Sequence, residues 1–258
     1  MEDILDRNLR EMTEAVRRNE ITSVKLVQGF LDRIEKVNSS LNAVVSINTE
    51  IALKLAAKAD SDLKEGIVHG PLHGIPMTIK DSLDTKDMVT TWGTKGRETF
   101  RPGRDATSVA RLRDAGAILL GKTNTPEFTL SFQTDNLVYG RTNNPYNLEM
   151  TPGGSSGGAA ALIAANAIPF DIGTDTGGSI RLPAHFCGIS GLKPTTGRVP
   201  CTGNALPSSG LIAPLSQVGP LARYVDDLDF LMTIIQGPDL MDPHTVDATE
   251  RSSDDIDV

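Results

Sequence analysis

The feature that most constrains this chain is a run of paired glycines and serines between Thr151 and Arg181, TPGGSSGGAAALIAANAIPFDIGTDTGGSIR. It holds Gly153-Gly154-Ser155-Ser156-Gly157-Gly158 and Gly177-Gly178-Ser179, separated by an apolar segment. Glycine gives up more conformational freedom on folding than any other residue, so this many around three serines call for a reason. A backbone that must approach a reacting atom with no Cβ in the way supplies one. Serine beside free N–H donors is what acyl transfer requires: a nucleophile and an oxyanion hole. A flexible Gly/Ser linker is the bland alternative, but the intervening residues are apolar and unlike a linker.

The surrounding pattern is α/β. Two amphipathic helices are expected over residues 7–37, the second capped by Thr22 or Ser23 with Val24, Val27, Leu31, Ile34 and Val37 at helical spacing. A short β-rich run at Ala43–Ile47 precedes a helix over Thr49–Leu63, and the Gly, Pro and His of Gly66–Gly74 then break the pattern. Pro76–Lys80 alternates as a strand with Lys80 at its end. A helix over 105–115, capped by Asp105 or Thr107, leads to a buried strand at Ala117–Leu120. The alternation continues with a helix at Gly157–Asn166, a strand at Ile168–Gly173, a helix opening at Ser179 and an apolar strand at Ile189–Leu192. Val225–Gln236 is a last amphipathic helix, stopped by Gly237-Pro238. Such alternation predicts an α/β fold with a central sheet between helical layers. Beyond residue 238 the chain is polar and acidic and is expected to be disordered.

Charge narrows the partners. The net charge is −8, and half of it falls in the last twelve residues, where Asp247, Glu250, Asp254, Asp255 and Asp257 face only Arg251. That balance argues against nucleic acid and anionic membranes as direct partners. Cys187 and Cys201 lie outside any CxxC pattern, so reduced thiols and no metal site are expected. The acidic N-terminus is no signal peptide, and no apolar run is long enough to span a membrane. A cytoplasmic location is the resulting expectation.

The N–H groups after the strand near Gly173 can form a concave anion-binding nest at Thr176-Gly177-Gly178. Phosphate would fit it as well as an oxyanion, but neither GxGxxG nor GxxxxGK[ST] occurs. Serine needs a base. Of His69, His73, His185 and His244, only His185 is near Ser179, and six residues on along a helix is the wrong face. The GxSxG elbow is also absent there. Lysine can replace histidine if burial weakens its hold on the proton, and Lys80 is the candidate. Its bland alternative is a solvated strand-end lysine or one paired with Asp81.

Taken together, GIPMTIKD at 74–81, TPGGSSGG at 151–158 and DTGGSIRLPAHFCGISGLKPT at 175–195 resemble the amidase signature family. LLGKTNTPEF at 119–128 and GRTNNPYN at 140–147 agree with it. The resemblance runs from the N-terminal helices to about residue 243 and implies a mixed central sheet covered by helices on both faces. It also implies a Ser–cis-Ser–Lys triad that cleaves amides without metal or cofactor: Ser179 as nucleophile, Ser155 as bridging serine after a cis peptide bond, and Lys80 as base. The N–H groups of Thr176, Gly177, Gly178 and Ser179 would hold the oxyanion. Ser156 would support the network or cap the following helix, and Asp175 and Arg181 would brace the loop, with Arg181 as a substrate-carboxylate binder the second reading.

Family members continue well beyond the helix at 225–236. The chain therefore resembles the N-terminal half to two-thirds of a general amidase, an amidase signature domain over 1–243 with an acidic, disordered tail over 244–258. Its expected substrate is a small amide, and a homodimer or a second chain would supply the missing half. Within the family, the alternative is the amidase subunit of a glutamyl-tRNA amidotransferase. Asn124-Thr125-Pro126-Glu127-Phe128 favours the general amidases, since that subunit usually carries Met-Asp where Thr125-Pro126 stand. The alternative of another class is an inactive fragment serving as an interaction module.

Overall fold

The computed structural model describes residues 2–206 and 210–247. Three helices, α1 (Glu2–Leu5), α2 (Leu9–Arg17) and α3 (Ser23–Leu41), precede strand β1 (Val44–Ile47) and helix α4 (Thr49–Lys64). Then follow β2 (Pro76–Lys80), α5 (Thr107–Asp114), β3 (Ile118–Thr123), α6 (Gly157–Ala164), β4 (Phe170–Asp175) and α7 (Arg181–Cys187). The order closes with β5 (Ser190–Gly191), β6 (Gln217–Ala222) and α8 (Val225–Ile235).

The helices begin where local chemistry tells them to. Asn8 and Glu11 form a reciprocal capping box on α2, and Thr22 accepts from the N–H of Lys25 at the start of α3. α3 ends in Asn42 at φ 49°, a left-handed conformation that asparagine tolerates. Asp105 is not the cap expected for α5. Its carboxylate is taken by the N–H of Lys86 and by Arg113, and Ala106 occupies the cap position without a side-chain bond.

The six strands lie in the order β1-β3-β2-β4-β6-β5. β2 runs parallel to β3 and β4, while β1, β6 and β5 join antiparallel. Helices cover both faces: α3 and α6 pack together over β2, and α5 packs on α8, which lies against β6 and β5. α6 is apolar all round and wholly buried but for its last residue, as a helix inside a layered core must be. Its start presses against other backbone, and a Cβ on Gly158 would run into Asn124 and Ala43.

The parallel strands β2 and β3 end level at Lys80 and Thr123, β4 runs on to Asp175, and the loops that follow all leave the carboxyl end of the sheet. In sheets of this kind ligands bind outside the carboxyl ends of the strands. These strands depart from the apolar run usual for a doubly covered sheet. Thr78, Lys80, Lys122, Asp171 and Asp175 are all buried within them.

Some boundaries differ from the sequence expectation. β4 begins at Phe170 and reaches Asp175, which puts that carboxylate at the strand end, and α7 begins only at Arg181, which leaves Ser179 in the loop. β6 was not expected at all, because Gly219 and Pro220 interrupt it. Pro220 has no N–H to give, yet it pairs opposite Ile172 and its carbonyl accepts from Leu192 at 3.0 Å. The acidic segment beyond 238 is bonded to the body rather than free as far as it is described. Thr107 donates to Asp239 (2.5 Å), Cys201 N–H to Asp242 (2.8 Å) and Val246 N–H to Gly197 (3.0 Å). Carboxylates that accept backbone N–H groups order a segment that composition alone reads as loose. The remainder of the expected tail, residues 248–258, lies outside the described residues.

Candidate active site

Lys80 closes β2 with its side chain fully buried, and its ammonium group has two partners. Nζ donates to Ser155 Oγ at 2.6 Å and to Thr174 Oγ1 at 2.8 Å. Ser155 is held in the loop before α6, and the Gly154–Ser155 peptide bond is cis. Ser156, next to it, does not cap α6. Its hydroxyl lies between the carbonyl and the N–H of Thr174 at 3.3 and 3.4 Å. Its own N–H donates to the carbonyl of Ser179 at 3.1 Å, which ties the two glycine–serine loops together. Ser179 thus stands beside Ser155 through its backbone, and its hydroxyl has no hydrogen bond to Ser155 or Lys80 among the described residues. Ser155 is sealed, whereas Ser179 keeps 8% of its surface open.

Burial lowers the proton affinity of Lys80 to about 7, against the pull of Asp171 and Asp175, so the amine is available near neutral pH. Asp175 behaves in the opposite way. Burial would raise it, but Arg181 and the N–H groups of Ile180, Gly178 and Arg181 hold it down to about 2. The Arg181 pair is bidentate, at 3.0 and 2.9 Å. This arrangement corrects one expected donor. The Gly178 N–H points to Asp175 at 2.8 Å and is spent there, while those of Thr176, Gly177 and Ser179 have no partner among the described residues. Gly178 has φ +123°, a conformation glycine alone takes readily; Gly177 has ordinary φ and nothing within 4 Å of where a Cβ would stand.

Several polar residues of this region were not singled out from the sequence. Thr174 is the second acceptor of Lys80. Asp171, fully buried, accepts from Thr78 (2.6 Å) and Thr123 (3.0 Å), and burial pushes it up to about 6. Lys122, also fully buried and lowered by burial to about 8, stands 3.9 Å from Asp81 and donates to Leu83 O and Thr85. Asp81 therefore pairs with Lys122 and Thr91, not with Lys80, and burial raises it to about 6. The signal in the sequence was a charge inside each buried strand, in FDIGTD and ILLGKT.

No histidine hydrogen-bonds to either serine among the described residues: His185 is exposed on α7, and His69 and His73 stack on each other. Cys187 and Cys201 are buried free thiols pushed up to about 12 by burial. No cluster of three or more His, Cys, Asp or Glu suited to a metal occurs among the described residues, and no described helix is long and apolar enough to cross a membrane. The rim beside the site is apolar. The backbone of residues 131–133 abuts Gly154, and Leu130 (72%) and Phe132 (60%) lie open to solvent there.

With this geometry in hand, comparison with known proteins is specific. The protein-family model described as Amidase matches residues 25–257. The chain is 46% identical over 239 residues to the A subunit of glutamyl-tRNA(Gln) amidotransferase from Roseiflexus sp., covering 93% of this chain and 48% of that protein. With the protein of the same name from Carboxydothermus hydrogenoformans it shares 43% over 241 residues, 92% of this chain and 48% of the relative. The solved structure of native peptide amidase from Stenotrophomonas maltophilia superposes with a TM-score of 0.86 at 38% identity, covering 96% of this chain and 51% of that one. The chain spans about half the length of the curated relatives it matches.

Proposed function

The chain belongs to the Amidase family, and from that premise we propose that it cleaves a carboxamide through a seryl acyl-enzyme at Ser179. The observation that carries this reading is the 2.6 Å hydrogen bond between the buried amine of Lys80 and Ser155. Neutral Lys80 takes the Ser155 proton as Ser155 takes that of Ser179, and Ser179 Oγ forms a bond to the carbonyl carbon. The N–H groups of Thr176, Gly177 and Ser179 receive the negative oxygen, and the open space over Gly177 leaves room for it. The proton then passes back through Ser155 to the leaving nitrogen, the C–N bond breaks, and ammonia or an amine departs. Water enters by the same relay and releases the carboxylic acid. Asp175 and Arg181 brace the loop that carries the nucleophile.

The substrate is a small linear amide, and the work is done in the cytoplasm, beside a second chain or copy that covers the exposed rim. A second reading has support of its own: the curated relatives at 43% and 46% identity carry the name of one chain of an amidotransferase. Asn124-Thr125-Pro126-Glu127 supports the general amidase instead. Ammonia release from glutamine, peptide amides and short aliphatic amides separates the two. Turnover of several amides without a partner is expected, and release from glutamine alone, dependent on added partner chains, would favour the second. In either case Ser179→Ala is expected to stop it, and ammonia release that survives this change would overturn the assignment.

A further inference from the structure

The relay leaves one sealed carboxylate without a task. Asp171 lies in β4 opposite Thr78 of β2 and is 0% exposed. The hydroxyls of Thr78 and Thr123 both donate to its Oδ2, so three neighbouring strands converge on this group, while Oδ1 has no hydrogen-bond partner among the described residues. A carboxylate stripped of water and only half satisfied is expensive unless positive charge stands near. Two buried amines flank it: Lys80, two residues on from Thr78, and Lys122, next to Thr123 in β3. Neither closes to an ion pair with it among the described residues, so the interaction acts through a low-dielectric interior.

We propose that Asp171 is a positioning residue of the relay: its buried charge, held by Thr78 and Thr123, sets how tightly Lys80 keeps its proton. This rests on Lys80 being the base. Asp175 is the other carboxylate that pulls on the Lys80 proton, and it has partners of its own. Asp175, also of β4, is engaged by Arg181 and three N–H groups, and Asp81 faces Lys122 and Thr91. Lys122, the other buried cation, has Asp81 at 3.9 Å as its own counter-charge. From the helical layer, α6 and the buried face of α3 bring no ionisable side chain to β2. Asp171, beyond its two threonine hydroxyls, has the two buried amines Lys122 and Lys80 as its cationic neighbours. Burial moves Lys80 down and Asp171 up, towards each other, and the charge on each favours the charge on the other.

Asp171→Asn removes the charge while an oxygen remains to accept from both threonines. The test follows the Lys80 13Cε resonance with pH in the full chain, assigned by its loss in Lys80→Met, together with the pH dependence of fluorophosphonate labelling. In Asp171→Asn the Lys80 midpoint is expected to fall by about one pH unit or more, with the acid limb of labelling falling alongside. A midpoint that stays in place in a variant with native near-UV circular dichroism overturns the proposal. A midpoint that falls while the labelling limb stays supports the effect of Asp171 on Lys80 and instead removes Lys80 as the base. Should Asp171→Asn fail to fold, Thr123→Val withdraws one hydrogen bond from the carboxylate. It is expected to lower the Lys80 midpoint by a smaller amount, and no movement there counts against the proposal.

Discussion

At the level of single residues the chemistry turns on a lysine that the fold holds at a cost. An amine with no water around it is poorer at holding a proton, and that is what a base for serine needs. The rate of acylation is expected to rise with pH through about 7, as Lys80 becomes neutral. Lys80→Met is expected to lose roughly 10²–10⁴ in rate together with that limb. The same change should stabilise the fold. Lys80 binds its proton less tightly folded than unfolded (10.5 to about 7), so the wild type gains stability as pH rises from 7 towards 10.5. Lys80→Met is therefore expected to exceed the wild type by ~1–3 kcal/mol below pH 7, with the gap closing at higher pH. Thermal melts at two pH values decide it, and a variant less stable at both would contradict the burial argument. Asp175 runs the other way, its folded value depressed from 3.8 to about 2. Its contribution is present above about pH 4 and lost as pH falls through 2. Asp175→Asn is expected to cost about 1–2 kcal/mol at pH 7 after allowing for its half-exposed partner. No loss in an equilibrium denaturation curve would mean the loop does not depend on that pair.

At the scale of elements, the site is the meeting of a strand end, a helix start and a turn. α6 is set by close backbone contact, so Gly158→Ala is expected to cost roughly 1–3 kcal/mol and to displace Ser155. An unchanged urea midpoint would show that the start of α6 can move away freely. This same scale explains what was legible in the sequence. Pro76–Lys80 and the helices around it could be read because apolar periodicity and caps carry them. The glycine–serine loops announced themselves by composition, though part of that composition serves packing: Gly154, Gly157 and Gly158 have no room for a Cβ. β6 was hidden, since its Gly219-Pro220 looks like a turn and its pairing is with strands distant in sequence. Thr174 and Asp171 were hidden for a related reason. Each acts across a strand pairing, and a lone threonine or aspartate in an apolar run does not say which neighbour it faces. The spending of Gly178 N–H on Asp175 depended on where β4 ends, which sequence places only within a residue or two.

For the whole molecule, the open apolar surface is the telling quantity. Leu130, Phe132 and Leu137 are 72%, 60% and 82% exposed, and β5 offers the sheet only two residues at its edge. Apolar surface of this kind marks interfaces, whereas an edge strand as short as β5 discourages pairing there. The chain also spans about half the length of the curated relatives it matches. By itself it is expected to self-associate in light scattering, and serine at Leu130 and Phe132 is expected to reduce that. A monomer at high concentration, unchanged by those substitutions, would show that the rim needs no cover. The claim beneath all of this is that these residues assemble a working nucleophile. It is tested most directly by treating the purified chain with a fluorophosphonate and mapping the modified residue by mass spectrometry. The account predicts a single adduct on Ser179, absent from Ser179→Ala; a folded chain that takes no adduct, or takes it at another serine, would contradict it.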